Sequence, residues 1–257
     1  MALKIIYHEK YRTNYFTSLA ESPLRVSVVY NKLKDHYPTV TPEPAHKEDI
    51  LRVHSLEHLH KVQQEGKDTY QTALLAAGGA LCAALLAHRG EPSFAVIRPP
   101  GHHARRSHYG GFCFFNNIAI AVDCLLESRQ INHATIVDID MHRGDGTQHI
   151  FAANPSVHII DIRARAREAY LDLLQKELDR IAATDLIAVS AGFDLYVEDW
   201  GALLETADFQ QIGCAIHAAA MAKAQGKCFA VLEGGYFLND LGKNVLAFCQ
   251  GLEGKPP

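Results

Sequence analysis

Short apolar runs rich in branched side chains recur along the chain at 3–7, 94–97, 134–139, 157–162, 186–189 and 229–232. Runs of this length, bounded by turn-forming residues, read as buried strands. Between them, apolar positions fall at helical spacing over 24–33, 55–65, 69–88, 117–127, 165–183, 207–224 and 240–252. Alternating strands and helices predict an α/β fold in three layers, a mainly parallel central sheet with helices on both faces. The Pro- and Thr-rich stretch 37–44 reads as a surface loop before a helical segment. No repeat or low-complexity tract interrupts the pattern, so one domain over residues 1–257 is expected.

Composition narrows the classes without naming a function. Hydrophobic residues at 48% and charged residues at 21% exclude a disordered or fibrous chain. A formal charge of -4 supplies no basic field for phosphates, so direct nucleic-acid binding is not expected. The longest apolar run, 73–87, is too short to span a bilayer and reads as a buried helix, so no membrane partner is expected. Residues 1–7 lack the apolar segment of a signal peptide. The six cysteines are scattered without a Cys-x-x-Cys pair, which fits a cytoplasmic protein with reduced thiols. Of the fifteen histidines, His8, His36, His46, His58, His60, His88, His133 and His149 sit in polar surroundings and are expected at the surface or at caps.

Ligands of a parallel sheet bind where loops leave the carboxyl ends of its strands. Four such loops are unusual: 98–104 with Pro-Pro-Gly-His-His, 138–146 with Asp-Ile-Asp-Met-His, 190–194 with Ser-Ala-Gly-Phe-Asp, and 233–236 with Glu-Gly-Gly-Tyr. In extended backbone Asp138, Asp140 and His142 project to one side. Three polar groups at the end of an apolar strand are costly unless paired, hydrogen-bonded or metal-bound. A solvated strand end explains one aspartate readily and three aligned groups poorly. A catalytic zinc takes three protein ligands and keeps one position open. Asp140 and His142 supply two, and Asp194, after the permissive Gly192, is the best third. Two carboxylates and one imidazole form a hard set, so Fe2+ or Co2+ also suits it.

Deacylation needs a base for the attacking water and an acid for the leaving amine. The adjacent imidazoles of His102 and His103 meet both needs, and each requires a carboxylate to fix its tautomer. Asp138 and Asp145 are the available candidates. Tyr236, after Gly234 and Gly235, can donate a hydrogen bond to a developing oxyanion. Taken alone it reads as readily as a core tyrosine beside a turn.

Together the four loops resemble the histone deacetylase superfamily, which includes acetylpolyamine amidohydrolases and acetoin-utilisation proteins. The resemblance extends to Glu21-Ser-Pro-Leu-Arg25, Val53-His-Ser55, Ala76-Ala-Gly-Gly-Ala80 and Gly111-Phe-Cys-Phe-Phe-Asn-Asn117, and so runs from the start of the chain to Tyr236. It implies an arginase-like fold with Zn2+ held by Asp140, His142 and Asp194. His103 would be the principal acid and base, His102 its electrostatic partner and Tyr236 the oxyanion donor, with Asp138 behind His102 and Asp145 behind His103. It further implies a channel lined by Gly111 and Phe112, and a K+ near 138–142 held by backbone carbonyls. The activity implied is removal of an acyl group, foremost acetyl, from an amine such as acetyl-lysine or an acetylpolyamine.

Two positions depart from that pattern. Arg143 stands where the family commonly has a second histidine. Only 23 residues, 163–185, separate two predicted strands, where the family carries a longer insertion with an aromatic residue on the second channel wall. The site is then expected to be open or completed by a second subunit of a homo-oligomer. Arg163, Arg165 and Arg167 read either as a solvated helix start or as an attraction for an acidic substrate group. A catalytically silent acyl-binding module and a two-metal ureohydrolase remain the alternatives.

Overall fold

Each predicted apolar run forms a strand, and every strand pairs in parallel. A computed structural model describes residues 2–256. Its strands are β1 (Lys4–Ile6), β2 (Thr39–Val40), β3 (Ser93–Ala95), β4 (Ala134–Asp138), β5 (Val157–Asp161), β6 (Leu186–Ala191) and β7 (Cys228–Leu232), in the spatial order β2-β1-β3-β7-β6-β4-β5. The strands β4, β6 and β7 are buried at every position, which is why they read as continuous apolar runs. Edge strand β5 is buried fully only at Ile160.

Helices are α1 (Leu24–Leu33), α2 (Lys47–Val53), α3 (Leu56–Gln64), α4 (Lys67–His88), α5 (Asn117–Glu127), α6 (Asp145–Phe151), α7 (Arg167–Asp179), α8 (Thr206–Lys223) and α9 (Leu238–Leu252). Helices α2 to α5 pack together in one group, and α1, α7, α8 and α9 in another, giving the layers on either side of the sheet. By length and composition α4 could cross a membrane, yet most of it is buried inside the protein, packed on β3 and β7.

Periodicity overlooked the shortest elements. The two-residue β2 lies within the expected loop 37–44, because pairing with Ile5 and Ile6 on a sheet edge, not local propensity, makes it a strand. Helix α6 is two turns long and begins inside the glycine-rich loop 138–146. The helix expected over 165–183 is trimmed at both ends to α7.

His58 is buried rather than at the surface. Its Nε2 lies 2.7 Å from the Phe114 carbonyl, and its ring stacks on His54 at 4.4 Å. His54 in turn accepts from the Asn116 amide at 2.9 Å, which makes its other nitrogen the donor to the Arg105 carbonyl. Burial holds both imidazoles neutral, His54 down at about 3. This joint fixes the segment between the two histidines of the Pro-Pro-Gly-His-His loop and α5.

Candidate active site

Strands β3, β7, β6 and β4 are neighbours, so their carboxyl-end loops meet along one edge of the sheet. Asp138, the last residue of β4, is in register with Ser190 of β6 and Asp161 of β5. Behind the loop after β6, Phe193 packs against Phe94, Phe209 and Phe248 with ring centroids 5.0 to 6.4 Å apart. Truncating such a buried ring costs about 3–5 kcal/mol, so the backbone that carries Asp194 is firmly anchored.

Asp140, His142 and Asp194 each bring a donor atom within 4.8 Å of the others. His142 Nδ1 is 3.2 Å from Asp140 Oδ1 and 2.9 Å from Asp194 Oδ2. Both carboxylates are buried, and apart from the His142 contact Asp194 Oδ2 has no hydrogen-bond partner. A Cβ on Gly234 would sit 2.5 Å from Asp140 Oδ2 and 2.9 Å from Asp194 Oδ2, and one on Gly192 would collide with Asp140. The cradle is therefore left open by two glycines. The Asp140 and Asp194 carboxylates push the His142 pKa up to about 10, a measure of how strongly the pocket draws positive charge. Burial pushes Asp194 up to about 6, with Asp140 adding to it. Two hard carboxylate oxygens, that of Asp194 with no other partner than His142, and one imidazole fit a divalent metal ion.

Beside this cluster the two histidines are backed by carboxylates. His102 Nδ1 is 3.0 Å from Asp138 Oδ2, and His103 Nδ1 is 2.8 Å from Asp145 Oδ1. Burial opposes charge on His102, but Asp138 and Asp140 override it and hold its pKa well above the ordinary value. Burial and the neighbouring His102 lower that of His103, against the pull of Asp145. The two rings are thus pushed in opposite directions. Fully buried Glu233 accepts from the Gly101 and His102 amides at 2.7 and 3.2 Å and from the Ser190 hydroxyl at 3.2 Å. It was visible in the sequence only as the residue before Gly-Gly-Tyr, with nothing to mark its part in building the His-His turn. His102, Cys113 and Glu233 also approach one another within 4.8 Å. With Glu233 occupied by amides and hydroxyl, and His102 by Asp138, that trio reads as a hydrogen-bond network.

Tyr236 is fixed from both sides. Its amide and that of Phe237 donate to Asp199 Oδ2 at 2.6 and 2.8 Å, while buried Arg25 donates to the Gly235 carbonyl at 2.6 Å and to the Glu233 carbonyl. The Arg25 guanidinium also lies 4.8 Å from the Tyr236 ring centre. Phe112, held at φ 67°, meets the Tyr236 ring edge-on at 6.1 Å. Such backbone strain in a non-glycine residue costs about 1–3 kcal/mol and clusters at functional sites.

The opposite wall comes from a residue the sequence did not mark. Trp200 stacks on Tyr236 at 4.0 Å and meets His142 edge-on at 6.1 Å. It stands within the loop between β6 and α8, not in the shortened segment after β5. The wall expected to be missing is thus supplied by the same chain. Pro100, His102, His103, Gly111, Phe112, His142, Trp200, Gly234 and Tyr236 enclose a cavity of about 160 Å³.

Arginines near the site are largely structural. Arg143 points outward and donates to Gln148 Oε1 at 2.7 Å. Arg167 makes a two-pronged bond to Asp208, both at 2.7 Å. The carbonyls of Asp140, Met141 and His142, beside the expected K+ position, accept from Arg163.

A parallel sheet that gathers a carboxylate–imidazole metal cluster, two carboxylate-backed histidines and an aromatic-walled cavity defines an amidohydrolase of the deacetylase class. The chain belongs to the histone deacetylase family, whose domain matches residues 19–170. It is 33% identical over 267 residues to a probable deacetylase of Methanothermobacter thermautotrophicus, covering 84% of this chain and 79% of that protein. To acetylpolyamine amidohydrolase 2 of Pseudomonas aeruginosa it is 31% identical over 66% of this chain and 58% of the relative. To histone deacetylase HDA1 of Saccharomyces cerevisiae it is 27% identical over 99% of this chain, which spans only 48% of the yeast protein. Asp194 and Tyr236 lie beyond the matched domain segment, on loops that the sheet brings back to it.

Proposed function

We propose that this chain is a single catalytic domain over 1–257 that hydrolyses an N-acyl amide, foremost an acetyl amide, on an amine such as acetyl-lysine or an acetylpolyamine. The observation that carries this reading is convergence: Asp140, His142 and Asp194 bring donor atoms within 4.8 Å of one another, and His142 of that group lines the same small cavity as His102, His103 and Tyr236. Asp140, His142 and Asp194 would hold Zn2+, with Fe2+ or Co2+ as substitutes the donor set tolerates. Zinc bound there would act as a Lewis acid on the carbonyl and acidify a water molecule.

His103, neutral and steadied by Asp145, takes the proton from the attacking water. As the water oxygen bonds the acyl carbon, the Tyr236 hydroxyl donates to the carbonyl oxygen on which charge develops. The carbon–nitrogen bond then breaks, and His103 returns its proton to the departing amine. His102, hydrogen-bonded to Asp138, lies beside His103 and lowers its pKa, which keeps the adjacent imidazole poised as a base. Gly111, Phe112 and Trp200 line the same small cavity, which supports a narrow, linear acylated arm in preference to a branched one. The six thiols are all free, in keeping with a reducing, cytoplasmic setting.

Zinc-loaded protein incubated with acetyl-lysine peptides, acetylpolyamines and longer acylamides should release free acid from at least one of them, read by acetate-coupled assay for the acetyl substrates and by mass spectrometry for the longer acids. No release from any member of the panel would overturn the reading.

A further inference from the structure

Five consecutive carbonyls run from the end of β4 through the loop that carries Asp140 and His142, and this chain supplies a donor to each. The Asp138 carbonyl accepts from the Ile162 amide and the Ile139 carbonyl from the Tyr170 hydroxyl, both at 3.4 Å. The Asp140 carbonyl accepts from Arg163 Nη1 at 3.0 Å, the Met141 carbonyl from the same nitrogen, and the His142 carbonyl from Nη2 at 2.8 Å. At its base the guanidinium is paired with Asp161, the register partner of Asp138.

The amides of the same loop turn the other way. Asp140 donates to Asp138 Oδ1 at 3.1 Å, Met141 to Asp194 Oδ1 at 2.9 Å and His142 to Asp140 Oδ1 at 2.8 Å. The loop therefore lies between carboxylates on its amide side and a guanidinium on its carbonyl side. It has left the sheet, so no ladder fixes its plane, and these two sets of charge-assisted bonds do so instead. Converging carbonyl oxygens are also the ligand set that strips a monovalent cation of its water. Here a planar fork of donors occupies the last three of them, and Arg163 can reach because β5 ends at Asp161 and α7 begins at Arg167.

We propose that Arg163 is a positioning residue whose guanidinium serves as a tethered monovalent cation, orienting Asp140 and His142 so that metal binding and turnover need no K+ or Na+. This rests on the metal-dependent reading above. The tether makes the cation intramolecular, so the loop is set at any salt composition.

Zinc affinity, by competition with a chromogenic chelator, and acylamide turnover should be measured in K+, Na+ and tetramethylammonium chloride at equal ionic strength. For the wild-type protein both should be the same in all three. Arg163→Met should lose about 10–100-fold in zinc affinity, the usual effect of removing a group that orients a metal ligand, and regain part of it with K+ or with sub-denaturing methylguanidinium. A several-fold dependence of the wild type on K+ would overturn the proposal, and that arm decides even if Arg163→Met does not fold. So would an Arg163→Met protein equal to wild type, or a loss that neither cation reverses. Wild-type protein that neither binds zinc nor hydrolyses any acylamide would instead overturn the proposed function, and this inference with it.

Discussion

Asp145 divides its carboxylate between two partners: Oδ1 lies 2.8 Å from His103 Nδ1, and Oδ2 accepts from Arg105 Nε at 3.0 Å and Nη2 at 2.5 Å. Arg105 thereby sets the carboxylate, and the carboxylate sets the tautomer of His103. As a base His103 works in its neutral form, and burial with His102 lowers its pKa below the ordinary value of about 6.5. The acidic limb of kcat/KM should accordingly fall below that pH. Asp145 raises the His103 pKa, so Asp145→Asn should move the limb further to acid. Turnover should drop at the same time by at least about tenfold, toward the roughly 10²–10⁴-fold that a positioned acid–base group contributes. A pH–rate profile of both proteins checks this, and a limb that does not move would detach Asp145 from His103.

Tyr236→Phe keeps the ring between Trp200 and Phe112 and removes only the hydroxyl. Loss of one oxyanion donor costs about 10²–10³ in kcat. Bound metal, measured by mass spectrometry, should be unchanged, because the three ligands lie on other loops. A variant with normal turnover would remove the phenol from the chemistry.

Trp200 separates the small cavity from a neighbouring one of about 510 Å³ lined by Met141, Arg163, Tyr170 and Leu195 among others. Trp200→Ala removes a stacked pair worth about 0.5–1.5 kcal/mol and joins the two spaces. The ratio of kcat/KM for an acetyl-lysine peptide to that for a linear acetylpolyamine should rise by about tenfold, the lower end of what a changed apolar pocket wall gives. An unchanged ratio would show that the tryptophan only props Tyr236.

Trp200 also marks where sequence reading ends. The sheet was legible because β4, β6 and β7 are buried on both faces, and a continuous apolar run needs no tertiary information to be seen. The grouping of Asp140, His142 and Asp194 was legible because they follow two apolar runs that pair as β4 and β6, although the first two lie past the end of β4, where the period of two no longer applies. What places Trp200 over Tyr236 is different: Asp199 captures two amides of another loop. Nothing within residues 195–200 announces that capture. Arg163 was visible as a charge, but its role depends on carbonyls 21 to 23 residues earlier that have no side-chain signature. His58 misled for the reverse reason, since its polar sequence neighbours face solvent while its own ring turns inward toward Phe114.

Metal removal should register in stability as well as in rate. Asp140 and Asp194 are buried with His142 facing both, so a divalent cation among the three compensates the carboxylates and takes the place of the proton they draw onto His142. Binding to the folded state alone stabilises it by about 2.7 kcal/mol at a free zinc concentration of 100 times Kd. For a chain of this size that corresponds to a Tm increase of roughly 5–10 °C. Differential scanning fluorimetry of chelator-treated protein, before and after zinc, gives the shift directly. His142→Ala and Asp194→Asn should each abolish most of the zinc response, whatever their own starting Tm. A wild-type Tm indifferent to zinc would sink the assignment of Asp140, His142 and Asp194 as ligands, while a response surviving in both variants would move the metal elsewhere in the fold.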